Sequence, residues 1–131
     1  MPLNYDADTT GMSVTPSQFD LITNLLDATA ARQRVTSQNI ANVNTPGYKA
    51  REVNFEDQLA QALDRPDGSG GAMDLAPEVQ FQDGLVERVD GNNVDIDREL
   101  GRTQKNALLH NAYARILSTK ISAMRSAISG R

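Results

Sequence analysis

The sequence contains no cysteine and no tryptophan, and aromatic residues make up only 5% of it. Without cysteine, the chain can form neither a disulfide bond nor a thiolate metal site. Its 131 residues suffice for one ordinary domain, but hydrophobic residues reach only 39%, which is little material for a core. This composition favours a protein that completes its core against neighbouring chains.

Signals for membranes and secretion are also missing. No apolar run approaches the length needed to span a bilayer. Residues 1–11 lack the basic and apolar regions of a cleaved secretory signal, so we expect none.

Catalytic and metal-binding patterns are not found either. His110 is the only histidine, and without a second histidine or a cysteine a usual zinc site is excluded. Residues 90–95 look superficially like a calcium loop, but the glycine is misplaced and the terminal bidentate glutamate is absent. A turn followed by a helix cap is the better interpretation. With no nucleophile elbow and no phosphate-binding loop, we predict no enzyme activity, no catalytic residue, no metal and no cofactor.

The net charge of −4 is unevenly placed along the chain. Residues 1–97 carry six basic and sixteen acidic side chains, a net of −10, whereas residues 98–131 carry seven basic and one acidic, a net of +6. A basic tail can indicate nucleic-acid binding. Here the basic residues are spread along a predicted helix, which favours a solvated helix or one paired with acidic neighbours. A helical nucleic-acid-binding or regulatory protein remains the alternative, and a steep salt dependence of DNA affinity would identify it.

A first long helix is predicted from Thr15 to about Asn42. Thr15 can cap it, Pro16 suits the first helical position, and Gln18 stands where a capping box needs Glu or Gln. Pro46 and Gly47 stop the segment, since proline cannot continue the hydrogen-bond ladder. A seam recurs at alternating spacings of four and three, widened early by Leu25. Its members are Ile22, Leu26, Thr29, Gln33, Thr36, Ile40 and Val43.

A second long helix is predicted to begin near residues 94–97, where carboxylates complement the helix dipole. Its seam consists of Leu100, Gln104, Ala107, Asn111, Ala114, Leu117, Ile121, Met124 and Ile128. A second apolar face is formed by Ile96, Leu108, Leu109, Tyr113 and Ile116. A helix with two apolar faces needs more partners than one other helix can provide.

The segment between the helices is predicted to be irregular and to contain a β-hairpin. Asn54 is placed to cap a short helix that includes Phe55, Leu59 and Leu63. Residues 65–75 are a flexible loop by composition.

The hairpin is predicted at Asp83-Gly84, because this pair lies between short β-favouring runs. Val79 and Phe81 form the run before it, and residues 85–89 form the run after it. Residues 90–93 form a second turn.

The most informative motif is residues 37–49, which read SQNIANVNTPGYK. A polar helix end followed by a turn explains Pro46-Gly47, but not the accumulation of Asn39, Asn42 and Asn44. Asparagine side chains can satisfy the unpaired carbonyl and amide groups at a helix end. Residues 39–49 resemble the N-terminal signature of the flagellar rod and hook proteins. Two further stretches, 51–56 and 90–99, narrow the resemblance to proximal rod subunits.

The resemblance covers roughly residues 18–128 and implies a mainly α fold. Residues 15–45 and 94–131 are expected to form two long terminal helices, paired as a coiled-coil-like inner domain. Residues 1–14 would be a flexible arm and residues 46–93 a middle segment. The expected assembly motif and turn comprise Asn39, Ile40, Ala41, Asn42, Asn44, Thr45, Pro46, Gly47 and Tyr48. The expected helix-packing residues are Ile22, Leu25, Leu26, Ile40, Leu100, Ala107, Ala114, Leu117, Ile121, Met124 and Ile128.

The resemblance also implies a function and partners. The expected function is a structural subunit of the proximal rod of the bacterial flagellar basal body, polymerising helically into part of the drive shaft and export channel. Expected partners are further copies, other rod subunits, the adaptor subunit at the rod base, the membrane-embedded ring and the flagellar type III export apparatus. We expect a location in the periplasmic rod, with neither nucleic-acid binding nor direct membrane insertion.

Overall fold

A computed structural model describes residues 16–64 and 75–130 and is mainly helical, as predicted. The order of elements is α1 (Pro16–Ala41), β1 (Arg51–Asn54), α2 (Glu56–Leu63), β2 (Glu78–Phe81) and α3 (Ile96–Ser129). Among the described residues, no helix is both long enough and apolar enough to span a bilayer.

Helix α1 begins at Pro16, whose fixed φ suits the first helical position. The predicted cap, Thr15, lies outside the described residues. After Ala41 the chain tightens into turns, with the backbone amides of Asn42 and Val43 each donating to the carbonyl three residues earlier at 3.2 Å. Gly47 then adopts a φ of 72°, a conformation that residues with a Cβ rarely adopt.

Helix α3 begins at Ile96 because Asp95 caps it. The Asp95 carboxylate accepts from the backbone amides of Asp97 and Arg98 at 3.1 and 3.2 Å. The 34 residues of the helix span about 50 Å. It ends at Gly130, which has the left-handed conformation common at helix C-termini.

Helices α1 and α3 pack as an antiparallel pair. The Lys120 amine donates to the Gln18 side chain at 2.6 Å near one end, and Asn39 donates to Glu99 at 3.0 Å near the other. The buried apolar residues are Ile22, Ala28 and Val35 of α1 with Ala50, Val53, Phe55 and Val94. Because four of these seven described residues lie between α1 and α3, the core is thickest where the chain between the two helices meets the helix pair.

The middle segment contains a two-stranded antiparallel sheet, as expected, but the strand pairing differs from the predicted one. Strand β2 pairs with β1, placing Arg51 opposite Phe81 and Asn54 opposite Glu78. Residues 85–89, the predicted partner of β2, form no strand. Val86 and Val89 lie there almost fully in solvent, so no burial favours a strand at that position. Asp83-Gly84 is only a bend.

The short helix α2 is present, but Asn54 does not cap it. The N-cap residue is Phe55, which makes no side-chain cap hydrogen bond. Asn54 is the last residue of β1, one position before the N-cap. Its side-chain amide donates to the Asp57 carboxylate at 2.8 Å. The side chain of Leu63 and most of the predicted 65–75 loop lie outside the described residues.

Candidate functional site

Asn39 is the most completely bonded residue of the predicted motif. It is fully buried, and its side-chain oxygen accepts from the Arg51 amide at 3.0 Å and from the Tyr48 hydroxyl at 3.1 Å. Its side-chain nitrogen donates to the Arg51 carbonyl at 2.7 Å and to Glu99 at 3.0 Å. These four bonds use the full capacity of one carboxamide. Asn39 therefore binds both backbone groups of Arg51, as a neighbouring strand would, and links α1 to β1 and α3.

Glu99 is the buried charge at the centre of this site, and sequence reasoning did not identify it. The side chain is only 1% exposed, and its second oxygen accepts from Gln82 at 3.0 Å. The Arg102 guanidinium lies 3.7 Å from that oxygen and 3.0 Å from the Glu52 carboxylate. Hydrogen bonds and a nearby cation offset the large cost of burying a carboxylate. The only sequence pattern that could have indicated this site is the spacing of Glu99, Arg102 and Asn106 by three and four residues, which places these polar side chains on one helix face.

Gln82 joins the end of β2 to the same site. Its side-chain amide donates to the Arg51 carbonyl as well as to Glu99, both at 3.0 Å, and its backbone amide donates to the Ala50 carbonyl at 3.0 Å. Asn39 and Gln82 thus approach Glu99 from α1 and from the middle segment. We call the carboxamides of Asn39 and Gln82, together with the Glu99 carboxylate to which both donate, the carboxamide cluster.

A second set of carboxamides holds the turn that follows α1. Asn92 is fully buried and donates to the carbonyls of Asn42 and Thr45 at 2.9 and 2.8 Å. Its side-chain oxygen accepts from the Val94 amide at 2.8 Å. The exposed carbonyls after α1 are therefore satisfied largely by an asparagine fifty residues later, rather than by the motif alone. The Asn42 side chain contributes two local bonds, donating to the Gln38 carbonyl at 2.8 Å and accepting from the Thr45 hydroxyl at 3.1 Å.

The two turns also touch through their backbones. The Gly47 amide donates to the Asp90 carbonyl at 2.8 Å. A Cβ added at Gly91, where φ is 80°, would lie 3.5 Å from the Cα of Gly47. The Lys49 amine donates to the Gly91 carbonyl at 2.7 Å, and Asn93 accepts from the Ala50 amide at 2.6 Å. The two stretches that carried the family resemblance, 39–49 and 90–99, thus form one structural unit.

The other predicted motif residues surround this unit. Ile40 and Tyr48 are half-buried, whereas Ala41, Asn44, Thr45, Pro46 and Gly47 are exposed. Thr45 and Gly47 are explained by the turn contacts described above, whereas Ala41 and Asn44 carry no burial that would explain them within a single chain.

The predicted helix-packing residues divide between two environments. Ile22 is buried, and Leu25, Leu26, Ile40, Leu117 and Met124 are half-buried. Exposed members are Leu100, Ala107, Ala114, Ile121 and Ile128. Of these five, Ala114 and Ile121 line a groove together with Leu26 of α1, and the role of all five in helix packing stays a prediction.

The α3 surface that meets α1 combines buried polar groups with half-buried apolar side chains such as Leu109 and Leu117. Asn106 donates to the Thr29 carbonyl at 2.8 Å, and the Thr29 hydroxyl lies 2.8 Å from Nδ1 of His110. Glu99 and Asn106 are the two buried residues of α3.

The remaining charged groove, between α1, β1 and α3, has its carboxylates paired. Arg32 contacts Glu56, and Arg102 contacts Glu52. Burial raises the pKa of Glu56, but hydrogen bonds from Arg32 and the backbone, with the Arg32 charge, outweigh it and hold the pKa below its usual value. The described residues contain no cluster of three His, Cys, Asp or Glu side chains suited to a metal.

Comparison with known proteins places the turn motif in a family. The sequence profile described as "Flagella basal body rod protein" matches residues 26–49, the second half of α1 and the turn after it. The flagellar basal body rod protein FlgB of Yersinia ruckeri is 36% identical over 79% of this chain and 87% of its own length. FlgB of Escherichia coli K12 is 31% identical over 79% and 86%, and that of Borrelia hermsii 30% identical over 80% and 90%. The chain therefore belongs to the FlgB family of flagellar basal body rod proteins.

Proposed function

We propose that this structural rod protein polymerises helically in the proximal rod, as part of the drive shaft and of the export channel. The observation that carries the proposal is the exposed apolar surface of α3 in a member of the FlgB family. Leu100, Leu108, Ile116 and Ile121 are each more than two-fifths exposed, and Ile128 is 88% exposed. Burial of such surface is worth roughly 25 cal/mol per Å². A rod in which each α3 meets several neighbours would bury it.

The partners proposed are those that a rod subunit would touch. They are further copies of this chain, other rod subunits, the adaptor subunit at the rod base and the membrane-embedded ring. The family name supports the rod location, and the thin core supports delivery by the flagellar type III export apparatus. Such a core costs little to unfold for passage through a narrow channel. No observation on the described residues favours the alternative of nucleic-acid binding.

The proposal is tested by complementing a strain that lacks the gene. Leu100→Asp with Ile121→Asp changes only exposed α3 positions, so the isolated chain should keep its helical content. We expect motility to be lost and the chain to be missing from purified basal bodies, because the carboxylates would be buried without partners at the interface. The matched control is Gln104→Asp with Ser118→Asp, on exposed polar positions of the same helix. Wild-type chain absent from purified basal bodies would refute the proposed function.

A further inference from the structure

The molecule carries opposite charges at its two ends. At the start of α3, exposed carboxylates outnumber the nearby basic side chains Lys49, Arg88 and Arg98, although Glu87 pairs with Lys49 and Asp90 with Arg88. The carboxylates are Asp83, Glu87, Asp90, Asp95 and Asp97. The bond between Gln82 and Glu99 holds this part of the middle segment against the first turn of α3. From His110 to Gly130, by contrast, α3 carries three basic and no acidic side chains, namely Arg115, Lys120 and Arg125. Asp27 of α1 lines the same groove as Arg125, so the basic side chains are in excess at this end. We call these two regions the acidic end and the basic end.

Each charged end also exposes large aliphatic side chains. Val86 and Val89 stand beside Glu87 and Asp90 at the acidic end and are almost fully in solvent. At the basic end, Ile116, Ile121 and Ile128 accompany the three cations. The two surfaces thus have the same mixture of aliphatic and charged groups, with opposite sign of charge.

The two ends cannot meet within one chain. Helix α3 is continuous between them, and about 44 Å separates Glu99 from Ile128 at 1.5 Å per residue. Arg115 and Arg125 take part in no ion pair within the described residues. The contact between Gln18 and Lys120 puts the first turn of α1 beside Lys120, so the last turns of α3 extend past the described part of α1.

We propose that the basic end of one copy docks on the acidic end of the next, head to tail. This inference rests on the proposed function and specifies which surfaces meet in the assembly. Such a contact is heterologous, because it joins two different surfaces, and it continues into a filament unless a rotation closes it. Aliphatic burial supplies affinity. Charge complementarity selects the head-to-tail orientation over head-to-head or tail-to-tail contacts, which would oppose like charges.

The inference is tested with two charge-reversed chains and their mixture. Variant one, R115E with R125E, makes the basic end acidic, and variant two, D83R with E87R, makes the acidic end basic. Each alone opposes like charges in every head-to-tail contact, so we expect self-association at least about tenfold weaker than wild type. The matched control, R34E on the exposed side of α1, should associate like wild type. Sedimentation and light scattering of the purified chains measure association, and far-ultraviolet circular dichroism checks that each variant is folded.

Mixing the two variants gives the decisive result. The basic end of variant one, which is now acidic, complements the acidic end of variant two, which is now basic. The unaltered basic end of variant two likewise complements the unaltered acidic end of variant one. Equimolar mixing should therefore restore association to within a few-fold of wild type. Wild-type association should weaken as salt rises from about 0.01 M to about 1 M, which shortens the screening length from roughly 30 Å to roughly 3 Å.

Two outcomes would overturn the head-to-tail contact while leaving the rod function intact. The first is a mixture as weak as its components, and the second is wild-type chain that stays monomeric at low salt yet enters basal bodies in cells. Failure of the rod function itself would appear as absence from basal bodies, independent of these charges.

Discussion

At the scale of single residues, side-chain carboxamides form hydrogen bonds to backbone groups that a neighbouring strand would otherwise form. Asn39 pairs with the amide and the carbonyl of Arg51, and Asn92 satisfies two carbonyls of the turn after α1. A carboxamide offers two donors and an acceptor of two bonds, and neither a carboxylate nor an aliphatic side chain of the same size can replace it. The accumulation of asparagine in the motif therefore has a structural cause at Asn39.

Replacing Asn39 by aspartate should be strongly destabilising. The Asn39→Asp change keeps the shape, but it removes the donors to Arg51 and to Glu99 and places a second carboxylate against a buried one. We expect the free energy of unfolding to fall by about 2–4 kcal/mol. Urea denaturation followed by circular dichroism measures this. The control Asn44→Asp, at an exposed position of the same motif, should change it by less than about 0.5 kcal/mol. Equal effects of the two changes would refute the role given to Asn39.

At the scale of elements, the junction between α1 and β1 depends on backbone conformations that few residues adopt. Gly47 and Gly91 have φ values of 72° and 80° and lie against each other. Their positions let the turn at residues 42–48 and the turn at residues 88–91 meet through the bond from Gly47 to Asp90. The angle at which the middle segment leaves the helix pair follows from these two turns.

Two glycine substitutions should therefore change the free energy of unfolding in opposite directions. Gly47→Ala puts a Cβ on a left-handed residue and should destabilise the chain by about 1–2 kcal/mol, although the space around it is open. Gly101→Ala fills an equally open position in the interior of α3 and should stabilise by about 0.5–1 kcal/mol. Thermal unfolding of both variants measures the two changes in stability. A stabilised Gly47→Ala chain would show that the turn relaxes and does not constrain the junction.

At the scale of the whole molecule, order should decline along α3 away from the carboxamide cluster. The two buried residues of the helix, Glu99 and Asn106, both lie in its first third. Beyond them the side chains are half-buried or exposed up to Gly130. An unsupported helix end is marginal in water, because most helical stability in proteins comes from tertiary packing.

Hydrogen exchange of the isolated chain should show this gradient. Backbone amides around residues 99–109 should exchange slowest in α3, and those of residues 118–129 should exchange fastest, by at least about tenfold. Mass spectrometry of peptic fragments resolves these segments. In the assembled rod, burial against neighbours should remove the difference. Uniform protection along α3 in the monomer would contradict the view of α3 as a helix completed by its neighbours.

Local signals predicted the helices well. Pro16 and the carboxylates of residues 95–97 act on the backbone groups next to them, so the helix starts follow from sequence alone. Gly47 and Pro46 similarly predicted the end of α1. The motif at residues 39–49 was recognisable for the same reason, since its function as a turn depends on consecutive residues.

Tertiary structure alone decided which surfaces meet. Strand β2 pairs with β1, although a long connection joins the two strands. The Asp83-Gly84 pair predicted residues 85–89 as the partner of β2, but these residues are not held by burial of Val86 and Val89. Likewise, periodicity revealed the apolar stripes of α3, but not that Glu99 and Asn106 are buried on the face that meets α1. A buried carboxylate is tolerated there only because Asn39 and Gln82 arrive from distant segments with donors. Such compensation exists only in the folded chain, whereas caps and turns act within a few residues of one another.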